Sequence, residues 1–447
     1  MEGYQGFLKY MEGKQVCREW RASYISARED LISKLPDSLI SQILLYLPTK
    51  EAVRTSVLSN RWKSIWLLFP NYSAFVSFMD KFVDFSREHK SCLHKLKLSS
   101  RKNVNDPPCV TRWIDFLVSR KLQHLDVECL VNRKFLEEIP LSLYICDTLV
   151  YLRLHRVSLG KFQSVSLPCL KTMRLEANVY ANDVVLESLI SSCPVLEDLT
   201  IIRMVEDNVK VLRVHSQTLT SLDIYFNFGS GVLIDAPRLE YLKFQDDLSE
   251  SKIIINSGSL DKVDVVFVFN EHDRADVVDL PKRNIVRNFF TSISGVRDMK
   301  ISEHFVEFIY YNIDFDPLPQ FCNLSCLQVD FPLYCLEILP TFLESCPHLK
   351  SLVLLEEYPS PSREYDVQIS FSPVPRCLVS SLEFVEIKYF NGGSAKMEVA
   401  RYFVENSGVL KKLVLDLRCS THQEGFYMLK DLLALPRGSS KCRIVVC

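Results

Sequence analysis

Side chains able to do chemistry are plentiful in this 447-residue chain, but they are scattered. Nine histidines occur, among them His89, His94, His124, His155, His215 and His272, and none stands in a recognisable spacing with a nucleophile and an orienting carboxylate. They read as surface or partly buried strand residues. Fifteen cysteines form no C-x-x-C pair, and no histidine pair stands near them at zinc-ligand spacing. Cys322 and Cys326 are four apart with no second pair to complete a site. Reduced, buried, leucine-like cysteines are the expectation. Gly229-Ser230-Gly231 and Gly392-Gly393 lack the Lys-Ser/Thr that a phosphate loop needs, and no G-x-S-x-G elbow appears. The acidic pairs Glu137-Glu138, Asp246-Asp247 and Glu356-Glu357 are expected in loops after strands, facing water. The sequence therefore predicts no catalytic residue, no metal site and no cofactor; recognition is the chemistry left to it.

The side chains suited to recognition occupy a repeating position. They are Tyr151, Arg153 and His155; Thr172, Arg174 and Glu176; Ser221, Asp223 and Tyr225; Tyr241, Lys243 and Gln245; Lys262 and Asp264; Asp298 and Lys300. Tyrosine, arginine and charges of both signs suit recognition by a few anchors. Tyr151, Arg153, His155, Arg174, Asp223, Tyr225, Tyr241 and Lys243 are the candidate substrate-binding set, and a plain solvated face is the alternative reading.

What would position them is a phrase, L-x-x-L-x-L, that returns from residue 93 onward. It appears at Leu93/Leu96/Leu98, Leu122/Leu125/Val127, Leu149/Leu152/Leu154 and Leu170/Met173/Leu175. It continues at Leu196/Leu199/Ile201, Leu219/Leu222/Ile224, Leu239/Leu242/Phe244, Leu260/Val263/Val265 and Val296/Met299/Ile301. The last copies are Leu324/Leu327/Val329, Leu349/Leu352/Leu354, Leu382/Val385/Ile387 and Leu410/Leu413/Leu415. Most intervals fall in the twenties, the range of leucine-rich repeats. In x-L-x-L-x the side chains alternate faces, so both apolar residues of a strand point one way and need stacked copies to bury them. The sequence predicts a solenoid with one parallel sheet, the chain returning outside it as helix or irregular backbone. A helix is expected within 182–193, closed by Cys193-Pro194, and Cys346-Pro347 repeats the device. The longer intervals after Leu260 and Leu349 should hold loops or extra elements. A doubly wound sheet fits poorly, because the phrase recurs too often for one ordinary sheet.

Residues 35–69 have a different character. Pro36 suits a first helical turn and Pro48 ends the helix before it; between them Leu39, Ile43 and Leu47 recur four apart beside Ile40 and Leu44. Thr49 is a candidate N-cap for a second helix with Val53 and Val57, and Ser59 for a third with Trp62, Ile65, Trp66 and Phe69. Three such short helices cannot bury this much apolar surface alone. It packs on the rest of the chain or on a partner. The order Leu35-Pro36, Ile43-Leu44, Leu47-Pro48, Val53, Ser56, Leu58-Ser59, Arg61-Trp62 and Trp66 closely resembles the F-box of plant F-box proteins. The resemblance implies docking on a Skp-type adaptor that hangs from a cullin ubiquitin-ligase scaffold. It assigns Leu35, Pro36, Ile43, Leu44, Leu47, Val53, Leu58, Trp62 and Trp66 to adaptor contact or to the helices that make it.

A second resemblance covers the C-terminus. Pro373-Val374-Pro375-Arg376-Cys377-Leu378, Ser380-Ser381-Leu382, the stretch 398–407 and Leu435-Pro436-Arg437-Gly438-Ser439-Ser440-Lys441-Cys442 look like the FBD domain of the same plant proteins. Strands are expected at 382–387, 410–415 and 444–446, with helices at 397–406 and 425–433. The fold class expected is an α+β or α/β solenoid: a small three-helix F-box, an irregular leucine-rich-repeat horseshoe and an FBD-like cap. The divisions are 1–29 flexible tail, 30–72 F-box, 73–92 helical connector with Phe78, Phe82 and Phe85, 93–372 repeats, and 373–447 FBD-like end.

The resemblance implies a non-catalytic substrate-recognition subunit of an SCF-type ubiquitin ligase, partnered by the adaptor, the cullin and an unknown protein substrate. A non-ligase scaffold and a small-molecule receptor stay open as alternatives. A net charge of −2 gives no reason to expect nucleic acid. The most apolar runs, such as 263–269, fall far short of the ~20 residues of a membrane helix. No secretory signal opens the chain, so a soluble intracellular protein of nucleus or cytoplasm is expected.

Overall fold

A computed structural model describes residues 94–100, 110–129, 136–160, 162, 164–204, 207–225, 231–246, 253–267, 280–312, 318–355, 371–417 and 422–447, with Leu35, Pro36, Leu39, Val76, Met79 and Asp80 before them. Contacts divide the chain into two units, residues 1–91 with 105–107, and residues 92–104 with 108–447. In the first unit the Leu39 N–H donates to the Pro36 carbonyl at 3.0 Å, the bond of an opening helical turn. Val76, Met79 and Asp80 are helical as well. The rest of the three expected helices, and Phe78, Phe82 and Phe85, lie outside the described residues.

In the second unit fourteen strands form one parallel sheet. They are β1 (Lys95–Ser100), β2 (His124–Cys129), β4 (Tyr151–His155), β6 (Thr172–Glu176), β8 (Asp198–Ile202), β10 (Ser221–Tyr225) and β12 (Tyr241–Asp246). After them come β14 (Lys262–Phe267), β15 (Asp298–Ile301), β16 (Cys326–Asp330), β17 (Ser351–Leu355), β18 (Phe384–Phe390), β19 (Lys412–Leu417) and β20 (Arg443–Val446). Their spatial order is their chain order, so the strand order never reverses as it would in a doubly wound sheet. The long parallel sheet is that of a repeat solenoid.

The leucine phrase explains the register. Leu125, Leu152, Met173, Leu199, Leu222 and Leu242 stand in one row across adjacent strands, each at most 1% exposed. From β2 to β19 each strand of the main sheet opens with the same backbone device. Two consecutive N–H groups donate to one carbonyl of the repeat before: Val150 and Tyr151 to Gln123, Glu197 and Asp198 to Lys171, Lys350 and Ser351 to Ser325. That satisfies the groups at each strand entrance and fixes the step between repeats.

The return layer departs from expectation. Beside helices it contains two three-stranded parallel sheets, β3 (Glu137–Glu138) with β5 (Val157–Leu159) and β7 (Val179–Tyr180), and β9 (Val211–His215) with β11 (Gly231–Asp235) and β13 (Ile253–Asn256). Leu212, Val214, Val232 and Ile234 point inward from these strands and are buried. Between the two sheets, helix α2 (Asp183–Ser191) packs on β9, and the Asp183 carboxylate accepts the Lys210 and Val211 N–H groups at 2.7 and 3.2 Å. Among the described residues the other α-helices of this unit are α1 (Val110–Val118), α3 (Leu280–Ser292), α4 (Glu303–Asn312), α5 (Leu339–Glu344), α6 (Arg376–Ser380), α7 (Ser394–Asn406) and α8 (His422–Ala434).

Two acidic residues expected in water are buried instead. Glu137 is 2% exposed because it takes the inward position of β3, leaving Glu138 outside. Asp246 is fully buried, since β12 runs one step further than the phrase and places it on the face of Leu242 and Phe244. The Glu356-Glu357 pair lies outside the described residues.

The expected helix at 182–193 forms with Asn182 as its cap, its side chain accepting the Val185 N–H at 3.2 Å. The Cys193 thiol donates to the Leu189 carbonyl at 3.1 Å, and burial pushes its pKa up to about 12. Cys346 repeats the contact with Phe342, at 3.8 Å, so both thiols are structural. Asn178, three residues after Leu175, ties its copy of the phrase to the one before. It accepts the Val157 N–H at 3.0 Å and donates to the Leu154 carbonyl at 2.9 Å.

At the C-terminal end the chain continues the sheet as α6, β18, α7, β19, α8 and β20; all but α6, a short helix without a counterpart among the expected elements, lie within a few residues of their expected places. Gly438 sits against the end of α7, where a Cβ would come within 2.4 Å of the Glu405 carbonyl oxygen. The Pro-Arg-Gly-Ser-Ser stretch can make that approach only with glycine. The last strand is covered less than the others: Ile444 and Val446 stand in the core rows but are only half-buried.

Candidate protein-docking face

The residues between the core leucines all lie on the outer face of the sheet. Tyr151, Arg153, His155, Asp223, Tyr225, Tyr241 and Lys243 are half-buried, and Arg174 is exposed. Register places them in rows. The central row runs Lys97, Asp126, Arg153, Arg174, Thr200, Asp223, Lys243, Asp264, Lys300, one residue per strand from β1 to β15. A flanking row carries His124, Tyr151, Thr172, Asp198, Ser221, Tyr241 and Lys262. The other carries Ser99, Glu128, His155, Glu176, Ile202, Tyr225 and Gln245.

At the N-terminal end these charges are spent on each other. Asp126 takes Lys97 on one oxygen at 3.1 Å and Arg153 on the other at 3.0 Å. Arg153 forks onto Glu176, with Nε and Nη2 donating at 3.0 and 2.6 Å. The hydrogen bonds that Arg153 donates to Glu176 are the main cause raising the Arg153 pKa above its ordinary value. His155 Nδ1 lies 3.1 Å from Glu128, which also accepts from Ser99 Oγ at 3.2 Å. Cross-strand pairs of this kind hold side chains still on a face that would otherwise be mobile. Arg153 and His155, proposed from the sequence as anchors, thus hold carboxylates of this chain. Arg153→Ala would strip two carboxylates of their partner and lower stability by about 1–2 kcal/mol in urea titration. Arg153→Lys recovers only part of it, since an ammonium cannot fork onto both neighbours.

Further along, the pairing loosens. Lys243 Nζ stands 5.4 Å from the centroid of Tyr225 and 3.9 Å from Asp264. Burial raises the pKa of Asp223 and Tyr241. Asp126, Glu128 and Lys97 were not singled out in the sequence, although they hold the same alternating positions in the first copies of the phrase.

For the adaptor set, Leu35 is half-buried and Pro36 exposed, beside a Leu39 that is 45% exposed. Ile43, Leu44, Leu47, Val53, Leu58, Trp62 and Trp66 lie outside the described residues. Among the described residues no helix is long and apolar enough to cross a membrane.

Three family models match the chain. The F-box domain covers residues 32–73, the repeats described as "FBD-associated F-box protein At5g56370, LRR repeats" cover 110–275, and FBD covers 368–415. Together with the sheet they define an F-box protein with leucine-rich repeats, a class of substrate adaptors that generally lack catalytic residues of their own. FBD-associated F-box protein At5g22730 of Arabidopsis thaliana is 73% identical over 99% of this chain and 100% of its own length. FBD-associated F-box protein At5g44490 of the same plant is 53% identical over 94% of this chain and 92% of its own length. The chain belongs to the family of FBD-associated F-box proteins.

Proposed function

We propose that this chain is the substrate-recognition subunit of an SCF-type ubiquitin ligase. Residues 30–72 dock a Skp-type adaptor and, through it, a cullin; residues 93–372 recruit a target protein; residues 373–447 end the solenoid, whose horseshoe curvature belongs to this reading. Leu35, Pro36, Ile43, Leu44, Leu47, Val53, Leu58, Trp62 and Trp66 supply the adaptor contact or the helices behind it. Tyr151, Arg153, His155, Arg174, Asp223, Tyr225, Tyr241 and Lys243 supply or support the target contact.

The observation that carries the reading is the F-box match at 32–73 together with a sheet face whose central row is charged on every strand from β1 to β15 except β8, where Thr200 stands. A subunit of this kind needs no catalytic group. It holds a target lysine near a charged thioester supplied elsewhere and so raises its effective concentration.

The test is co-purification with the adaptor. Leu44→Asp combined with Trp62→Asp places two charges in the apolar surface and should abolish capture, while the cooperative unfolding of the repeats stays as in the parent chain. Capture at the parental level by the double variant would remove the reading.

A further inference from the structure

Asp223 differs from the paired carboxylates of the first strands of this face. Its neighbours in register are the neutral Thr200 on β8 and Lys243 on β12. Lys243 forms no ion pair with it among the described residues, though its charge and that of Arg174 still act on the carboxylate; the ammonium stands 3.9 Å from Asp264 and over the Tyr225 ring. The Asp223 carboxylate is half-buried, and its Oδ1 is covered yet accepts no hydrogen bond among the described residues. On β2 to β6 every comparable carboxylate of the face, Asp126, Glu128 and Glu176, has a cation or a histidine at 2.6–3.1 Å. A partly desolvated carboxylate with a covered oxygen that accepts no hydrogen bond costs folding free energy, and a protein keeps such a group at no benefit to its own fold.

The surroundings say which partner fits. Lys243 shows what this part of the face does with a cation: it sets one over a tyrosine ring beside an aspartate. Beside Asp223 stand a second tyrosine, Tyr241 on the adjacent strand, and Tyr225 on its own, over which Lys243 already lies. We propose that Asp223 anchors one basic side chain, arginine or lysine, of the recruited protein, with Tyr241 as the wall against which its stem lies. The proposal rests on the reading of this face as the target-binding surface. It makes Asp223 the residue that sets specificity for a basic segment.

The test uses the full chain purified with its Skp-type adaptor, as wild type and as Asp223→Asn, each panned against a random peptide library. Wild type should enrich peptides with a fixed arginine or lysine. Their affinity should fall at least about tenfold on Asp223→Asn and by the same factor when that residue becomes glutamine, with no further loss when both are changed. Independently, Asp223→Asn should leave the urea midpoint unchanged or raised, whereas Asp126→Asn, which breaks an existing pair, should lower it. Absence of basic enrichment, equal affinities, or a midpoint lowered as far as in Asp126→Asn would each overturn the assignment. Failure of the ligase reading shows separately, as loss of adaptor capture in the same preparations whatever the peptides do.

Discussion

Asp207→Ala should destabilise the repeat unit by roughly 3–5 kcal/mol, the cost of removing one partner from a buried ion pair. Asp207 and Arg203 have side chains only 2% and 5% exposed. The carboxylate accepts Arg203 Nε at 2.5 Å and Nη2 at 2.7 Å, and also the Val209 N–H at 3.0 Å. Arg203 reaches on to the Val209 carbonyl through Nη2. The same loop ties elements together through its backbone: Arg203 N–H donates to the Tyr225 carbonyl and Tyr180 N–H to the Asp207 carbonyl. Truncation would leave a guanidinium in place without its bidentate carboxylate, in a site too dry to hydrate it. A loss of that size is a large share of the ~5–15 kcal/mol that holds a typical domain. Asp207→Asn keeps the acceptor oxygen but not the charge, and should fall between the parent and alanine. Glu197→Ala, which removes an exposed pair with Lys171, should stay within about 0.5 kcal/mol. Urea unfolding followed by fluorescence compares the three; an alanine variant within ~1 kcal/mol of the parent would show that the pair carries little.

What could be read from the sequence follows from how local each signal is. The strands of the main sheet were legible because Leu152 and Leu154, or Leu352 and Leu354, announce both the strand and its inner face by alternation alone. The same rule put Tyr151, Arg153, Asp223 and Lys243 on the outer face. Which of them pair was not legible. Arg153 meets Asp126 and Glu176, more than twenty residues away in either direction, only because successive repeats stack without a shift of register. The strands of the return layer were missed because Val211 to His215 has the pattern of a strand but no leucine phrase around it. It becomes one by pairing with β11 and by lying against α2. Nothing local in the sequence marks Arg203 and Asp207, since burial of an ion pair depends on walls supplied by distant residues. The F-box stood out by motif rather than by physics: its anchors at fixed spacings specify a family where apolar periodicity specifies only helices.

Phe290→Ala is expected to cost about 3–5 kcal/mol, and the reason lies in where the return layer changes from strand to helix. Up to β13 the main sheet is backed by the two small sheets together with α1 and α2; beyond it α3 and α4 take over. Helices and strands pack with different spacings, and the gap at this junction is filled by aromatic rings. Phe290 on α3 is 1% exposed and lies stacked on Phe305 of α4, ring centroids 4.0 Å apart. It also meets the edges of Phe267 on β14, Phe289 on its own helix and Phe321 before β16, at 5.4–6.2 Å. Alanine there removes the ring that touches four others, and backbone fixed by hydrogen bonds on both sides cannot close the cavity. In a stacked array stability is transmitted through neighbouring interfaces, so the loss should weaken the repeats on both sides of the junction. Hydrogen exchange reads this directly: amides of β14 and β16 should lose protection while those of β2 and β4, many repeats away, keep theirs. Phe426→Ala, at a ring 65% exposed on α8, should change neither midpoint nor exchange. If the Phe290 variant loosened β2 as much as β14, the array would unfold as one block, and the junction would hold no special place in it.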